Sequence, residues 1–220
     1  MKKLALTDFA KYRYPSALEL SPDSRYLTFA LKDVDREGDG YRWNLWLYDL
    51  ERRESRQITQ GDDQRKAVWE DNTHILYKTT EPDEALRARG FEEEWTVYHR
   101  LNVCTGEDRE AFRLPMSVSG LWKMDEGRYV FTGETHLDRP NLLELTGEAL
   151  EKELVRRQQT RGYKVLTELP LCENGVGMFN QTRNTLFLYL EAAGEYRRIT
   201  PENYDVNHVN VRPGQVLFTA

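Results

Sequence analysis

Ser21-Pro22-Asp23-Ser24-Arg25, running into Tyr26-Leu27-Thr28-Phe29-Ala30-Leu31 and, after a charged loop, into Asn44-Leu45-Trp46-Leu47-Tyr48-Asp49-Leu50, is the stretch from which the rest of the sequence is read. Proline presets φ, and Asp and Ser bond to nearby backbone, so Ser-Pro-Asp-Ser is turn chemistry. The aromatic and aliphatic runs on either side are strand material. The stretch predicts a unit of four antiparallel strands: Ala17 to Leu20, Tyr26 to Leu31, Asn44 to Leu50 and Ser55 to Thr59, with a turn at Glu51-Arg52-Arg53-Glu54. In Leu45-Trp46-Leu47-Tyr48 neither face is polar, the pattern of a sheet covered on both sides.

The same order of turn and strand returns along the chain. A second unit opens at Lys66-Ala67-Val68-Trp69, turns at Glu70-Asp71-Asn72 and continues through His74 to Lys78. A polar loop from Thr80 to Glu94 follows, then Trp95 to Val103 and Arg109 to Leu114. A third opens at Val118 to Trp122, turns at Met124-Asp125-Glu126-Gly127 and enters Arg128 to Gly133. Its partner strands, Thr185 to Leu190 and Tyr196 to Thr200, come after an insertion from Leu137 to about Arg183. Arg197-Arg198-Ile199-Thr200 echoes Arg56-Gln57-Ile58-Thr59. A fourth unit begins at Val206 to Val211 and turns at Arg212-Pro213-Gly214. Between second strands the spacing is 49 residues from Tyr26 to Ile75 and 54 from Ile75 to Tyr129. It is 87 from Tyr129 to Val216. These fit blades of roughly 40–50 residues once an insertion of roughly 35–40 is set aside. A β-sandwich explains the strands but not this repeated order.

The fold class expected is therefore all-β, a partial β-propeller of four-stranded antiparallel blades with one helical insertion in the third blade. Residues 1–16 form a lead-in segment whose Phe9, Tyr12 and Tyr14 are expected to pack, and 17–220 the partial propeller. The blades run over about 17–61, 66–115 and 117–202, with the start of a fourth at 205–220 and the insertion at about 137–183. Thr146 to Arg157 reads as a helix, with Thr146 as cap, glutamates early, arginines late and a narrow Leu150/Leu154 stripe.

Composition narrows the function classes. The 220 residues carry 37 acidic and 31 basic side chains, a formal charge of −6, and no Lys/Arg cluster. Neutralising phosphate needs a basic face, so no nucleic-acid partner is expected. No run approaches the roughly 20 apolar residues of a membrane span, and Met1 to Asp8 lacks a signal peptide's apolar region. Cys104 and Cys172 are too few for a disulfide framework and are expected as reduced, packed thiols. The protein is expected to be cytoplasmic, with no membrane partner.

The blade stretch resembles the motif of TolB-type propellers and of the propeller domains of the prolyl oligopeptidase family of serine peptidases. Within that family, Tyr163-Lys164-Val165-Leu166, Leu169-Pro170, Asn174-Gly175 and Asn184 to Tyr189 resemble the acylaminoacyl-peptidase and dipeptidyl-peptidase-like branch. Ser24 stands where glycine is common. The resemblance implies a non-catalytic N-terminal fragment that gates short peptides to a C-terminal α/β-hydrolase domain of the same polypeptide. The alternative is a TolB-like module that binds a protein or ligand without catalysis.

No catalytic residues and no cofactor are expected in this chain. It holds no Gly-x-Ser-x-Gly elbow, the turn a hydrolase needs to present its serine. Ser16, Ser21, Ser55, Ser117 and Ser119 all lack that context. His74, His99, His136 and His208 are isolated, without metal-ligand spacing. Asp33-Val34-Asp35-Arg36-Glu37-Gly38-Asp39-Gly40 approximates a calcium loop, but its twelfth position is Asn44 and its flanks are strands, so a solvated hairpin loop is preferred. Glu92, Glu93 and Glu94 are the candidate substrate-binding residues. The resemblance implies a pair of propeller glutamates holding a substrate's amino terminus, and carboxylates facing an ammonium in a poorly hydrated chamber suit that task. The insertion helix is expected to contribute to substrate access or to contact with the hydrolase domain. An incomplete propeller exposes apolar sheet faces and a strand edge, which predicts self-association.

Overall fold

Ser21 and Asp23 build the first turn from their own side chains. Ser21 Oγ donates to Asp23 Oδ1 at 2.6 Å and accepts from the Tyr26 N–H at 2.9 Å, while the Arg25 N–H reaches Asp23 Oδ1 at 3.1 Å. These bonds hold the Asp23 carboxyl below its usual range, that from Ser21 contributing most. Ser24 takes φ +60°, the left-handed region that favours glycine, and Gly127 and Gly214 occupy it in later turns at +67° and +70°. In the second turn Asp71 gathers the N–H groups of Thr73 and His74, each at 2.7 Å.

These turns join strands into sheets. The computed structural model describes residues 5–35, 40–61, 63–163, 165–168, 172–173, 177–178 and 181–220. The first sheet comprises β1 (Tyr14–Leu20), β2 (Tyr26–Asp35), β3 (Gly40–Asp49) and β4 (Glu54–Gln57), in that order. The second comprises β5 (Ala67–Trp69), β6 (His74–Pro82), β7 (Glu94–Asn102) and β8 (Asp108–Leu114), with the short helix α1 (Glu84–Arg87) between β6 and β7. Next in the chain come β9 (Val118–Asp125), β10 (Arg128–His136), α2 (Gly147–Gln159) and the short pair β11 (Cys172–Glu173) and β12 (Gly177–Met178). β13 (Thr182–Leu190) and β14 (Glu195–Arg198) then complete a third sheet in the order β14-β13-β10-β9, and β15 (Val209–Arg212) pairs with β16 (Gln215–Phe218). The chain thus leaves the third sheet after its second strand, passes through α2, and returns beside the strand it left.

Several details differ from the sequence expectations. β1 begins at Tyr14 rather than Ala17. Pro15 is tolerated because β1 is an edge strand, and a bulge between Ser16 and Glu19, with Ala17 at φ +50°, breaks the alternation that marks a strand. Ahead of it lies a 3₁₀ turn over Leu6–Lys11, and Phe9, Tyr12 and Tyr14 are more than half exposed rather than packed. The polar loop after Thr80 is shorter than expected: β6 runs to Pro82, and α1 forms because Asp83 Oδ1 caps the Leu86 N–H at 3.0 Å while Leu86 is buried. On β3, Leu45 and Leu47 are buried but Trp46 and Tyr48 only half-buried, so one face of the first sheet is covered and the other partly so.

The described residues cluster into two compact units, 1–80 with 97–113 and 81–96 with 114–220. In the first, Ala30, Leu45 and Leu47 pack against Ala67, Trp69, Ile75, Tyr77, Leu101 and Val103, and Trp69 Nε1 donates to the Glu19 carbonyl at 3.1 Å. The described residues of the second include the following apolar clusters. Val130, Leu186 and Leu188 meet Val206 and the inner residues of β15 and β16, and Leu86, Leu142 and Leu154 meet Phe91 and Leu150.

The echo between Gln57-Ile58-Thr59 and Arg198-Ile199-Thr200 has a structural meaning. β4 ends at Gln57, yet the Ile58 N–H still bonds the Leu45 carbonyl at 2.8 Å, and the buried Thr59 hydroxyl accepts the Leu45 N–H at 2.8 Å. In the third sheet the Ile199 N–H bonds the Leu186 carbonyl at 2.8 Å, and Thr200 Oγ1 accepts the Leu186 N–H at 3.2 Å. Thr59→Val keeps the shape and removes the acceptor, leaving a buried N–H unpaired. Its expected cost is about 1–3 kcal/mol in urea unfolding, with Thr59→Ser retaining most of the stability. Equal midpoints for Thr59→Val and the parent would contradict this role.

Candidate functional site

The second unit contains a cleft of about 460 Å³ lined by Glu92, Glu93 and Glu94 together with residues of β10, of the segment leading to α2, and of α2 itself. The three glutamates come into place because the tip of the β6 to β7 hairpin is closed on itself. Asp83 accepts from Trp95 Nε1 at 3.1 Å, and its N–H bonds the Glu93 carbonyl at 2.9 Å. Phe91 anchors the segment in the small core made by Leu86, Leu142 and Leu154. The floor of the cleft includes Met116 and Phe187, both buried. Met116 has room only because position 133 is glycine: a Cβ there would lie 2.4 Å from its sulfur.

α2 supplies a cation to this wall. Arg157, nearly buried, donates to Glu93 at 2.7 Å, to Glu153 at 3.0 Å and to the Pro140 carbonyl at 2.6 Å. Glu153 also receives a bidentate Arg156 at 2.6 and 2.7 Å, which holds its carboxyl below the usual range. At the other end of the helix, Arg89 forms two 2.7 Å bonds to Glu151. Thr146 stands at the N-cap, as expected, but its side chain makes no capping bond.

His136 lines the same cleft with charges of both signs about it, Glu134 Oε1 lying 3.5 Å from its Nε2. Its Nε2 is 2.9 Å from an Arg139 nitrogen, which can only donate, so Nε2 accepts and the ring proton sits on Nδ1, 3.2 Å from Thr182 Oγ1. Burial, reinforced by the Arg139 charge, pushes its pKa down to about 4, so the ring is neutral at pH 7. Tyr196 donates to Glu144, and burial together with that carboxylate raises the Tyr196 pKa.

All three sequence-predicted glutamates therefore line one cleft, in different states. Glu93 is neutralised by Arg157. Glu92 and Glu94 are exposed and have no ion-pair partner among the described residues. Arg157, Arg139 and His136 were not singled out as cleft residues by the sequence. The arginines at the end of α2 signalled only a helix terminus, and nothing local marks which carboxylate they meet.

The remaining candidates take structural roles. His74 bonds Asp71 at 2.9 Å. His99 lies 3.4 Å from Asp108 and stacks on Tyr77, whose hydroxyl also donates to Asp108. In the calcium-like loop, Asp33 pairs with Arg13 at 3.0 Å and Asp35 lies 4.0 Å from Arg42, while residues 36–39 are outside the described residues. No cluster of three or more potential metal ligands occurs among the described residues. Cys104 is a free, exposed thiol rather than a packed one, because the turn after β7 places it at the surface. The Cys172 side chain lies outside the described residues. A second cleft, of about 370 Å³ in the first unit, is lined by Tyr26, Arg56 and Cys104, and its Arg56 is spent on the Val103 carbonyl. No helix among the described residues is long and apolar enough to cross a membrane.

Successive four-stranded antiparallel sheets with hairpin connections define a β-propeller type of fold. The chain is similar to solved structures of acylaminoacyl peptidases. For the enzyme from Pyrococcus horikoshii the TM-score is 0.57 at 12% identity, covering 87% of this chain and 26% of that one. For an acylaminoacyl peptidase in complex with Z-Gly-Gly-Phe-chloromethyl ketone the TM-score is 0.58 at 11% identity, with the same coverage. It is also similar to TolB from Acinetobacter baumannii, with TM-score 0.50 and 11% identity over 89% of this chain and 34% of that one. The chain spans about a quarter of the length of these peptidase chains. At such identities the likeness establishes the fold. No protein-family model and no curated protein matches the sequence.

The neutral His136 predicts a pH dependence. Between its ordinary pKa of 6.5 and about 4 the unfolded chain binds a proton that the folded chain does not. Stability should therefore fall as pH is lowered through that window. Urea midpoints at several pH values should show a shallower fall for His136→Gln than for the parent; identical slopes would contradict the assignment.

Proposed function

We propose that this chain is the propeller portion of a cytoplasmic serine peptidase of prolyl oligopeptidase type, acylaminoacyl- or dipeptidyl-peptidase-like. In this reading it filters short peptides on their way to an α/β-hydrolase domain that carries the chemistry. The observation that carries the reading is a fold shared with acylaminoacyl peptidase over 87% of this chain, in a sequence without a Gly-x-Ser-x-Gly elbow. Blades suit the task because a rigid sheet scaffold excludes folded chains by size while its connecting segments carry recognition groups. Glu92 and Glu94 are the recognition groups proposed here: their unpaired carboxylates at the rim of a cleft with an apolar floor favour a cationic group such as a peptide ammonium. Glu93 is left out of that role by Arg157.

The second reading is a TolB-like module that binds a protein or ligand without catalysis, supported by the likeness to TolB. A fluorophosphonate probe for active-site serines separates the two. Applied to the complete product of the gene, it should label one serine outside residues 1–220, and that product should cleave short peptides while sparing folded proteins. A complete product that takes no label would overturn the peptidase reading in favour of the second.

A further inference from the structure

α2 hangs between two points fixed to the third sheet. Ahead of it, Asn141 donates to the Pro115 carbonyl and Glu144 accepts from Tyr196 of β14. Beyond it, Glu168 accepts from Arg183 at 2.5 Å and from the Gln181 N–H at 3.1 Å, beside the start of β13. Between these points the helix is lightly held. Of its thirteen residues, Glu153 and Leu154 are the buried ones. Leu154, with half-buried Leu150, joins the cluster of Leu86, Leu142 and Phe91, and the Arg89–Glu151 pair crosses to the hairpin tip with both side chains well exposed. An exposed pair contributes little, and a helix of this length is marginal in water by itself. Its place therefore depends on Leu154 and on Arg157, whose side chain is 13% exposed and bonds Glu93 on the hairpin tip, Glu153 within α2 and the Pro140 carbonyl.

The joint at the start of α2 is open as well. Gly147 takes φ +56°, a Cβ there would meet nothing within 4 Å, and Thr146 beside it makes no side-chain capping bond. We infer that α2 is a flap at the wall of the cleft, hinged at Thr146-Gly147 and latched by Arg157 on Glu93, that opens while the sheets of its unit stay folded. Arg157 is the residue of α2 that lines the cleft, so opening removes that part of the wall and releases the Glu93 carboxylate and the Pro140 carbonyl. Such a flap controls entry whatever the ligand is, and it does not rest on the peptidase reading.

Once undocked, a helix of this length melts, so amide exchange reads the opening. Hydrogen exchange followed by mass spectrometry on the 220-residue chain, in urea below the unfolding transition, should show residues 150–159 exchanging about a hundredfold faster than β10 and β13, with almost no urea dependence. Glu93→Gln leaves the helix sequence intact and weakens only the latch. It should speed exchange in α2 about tenfold and leave β10 and β13 unchanged. Arg157→Met should speed it further, whereas Arg89→Met, which breaks the exposed pair, should change it less than about threefold. Exchange of α2 and β10 at one rate with one urea slope would overturn the flap. Unchanged α2 exchange in Glu93→Gln would overturn the latch, since Arg157 would then act only within its own helix. Equal acceleration of α2 and β10 in either latch variant would make the opening global and overturn the hinge.

Discussion

A buried backbone N–H with no strand left to bond it is the constraint on which the sheet architecture turns. Leu45 lies on a central strand and is wholly buried, yet its neighbour β4 has already ended at Gln57. Water cannot reach this amide, and leaving it unpaired would cost more than most single contacts supply. The Thr59 hydroxyl takes the bond, at 2.8 Å. Because the hydroxyl sits on a chain already turning away from the sheet, four strands close with a short outer one, and the chain is free to begin the next sheet. The Leu186 and Thr200 pair repeats the solution in the third sheet.

Stacking follows from the closed sheets. Leu45 and Leu47 are the residues that meet Ile75, Tyr77, Leu101 and Val103 in the core of the first unit, and Leu186 and Leu188 play that part for β15 and β16. Within the first and second sheets, Asp23 and Asp71 gather N–H groups two or three residues further on, where the second strand of each sheet is about to start. The excursion after β10 is the departure from this plan, and it brings the cleft its charged groups. α2 docks through a small apolar core and two arginines, Arg89 on Glu151 and Arg157 on Glu93, and the second of these removes Glu93 from a run of three otherwise similar carboxylates.

How much of this was legible in the sequence differs by feature. The repeated turns and the Ile-Thr echo were readable because they are local: the residues that make the bond are the residues that form the pattern. The bulge at Ala17 and the helical turn after Asp83 were hidden, the first because a bulge breaks alternation and the second because Leu86 is a lone apolar residue among charges. In the cleft, Glu92, Glu93 and Glu94 stood out as a run, but their inequivalence did not, because Arg157 lies 64 residues away in sequence. Arg139 and His136 carry no motif at all. Their meaning arises from a neutral ring facing a guanidinium, a relation of space and burial that spacing along the chain does not encode.

The central claim is that a threonine hydroxyl completes the first and third sheets where their last strands stop. Native-state hydrogen exchange on the Leu45 and Leu186 amides measures it most directly. Both should exchange as slowly as the Ile58 and Ile199 amides, which bond the carbonyls of the same two leucines, and should open only with the unfolding of their unit. Rapid exchange of the Leu45 and Leu186 amides while Ile58 and Ile199 remain protected would contradict the account.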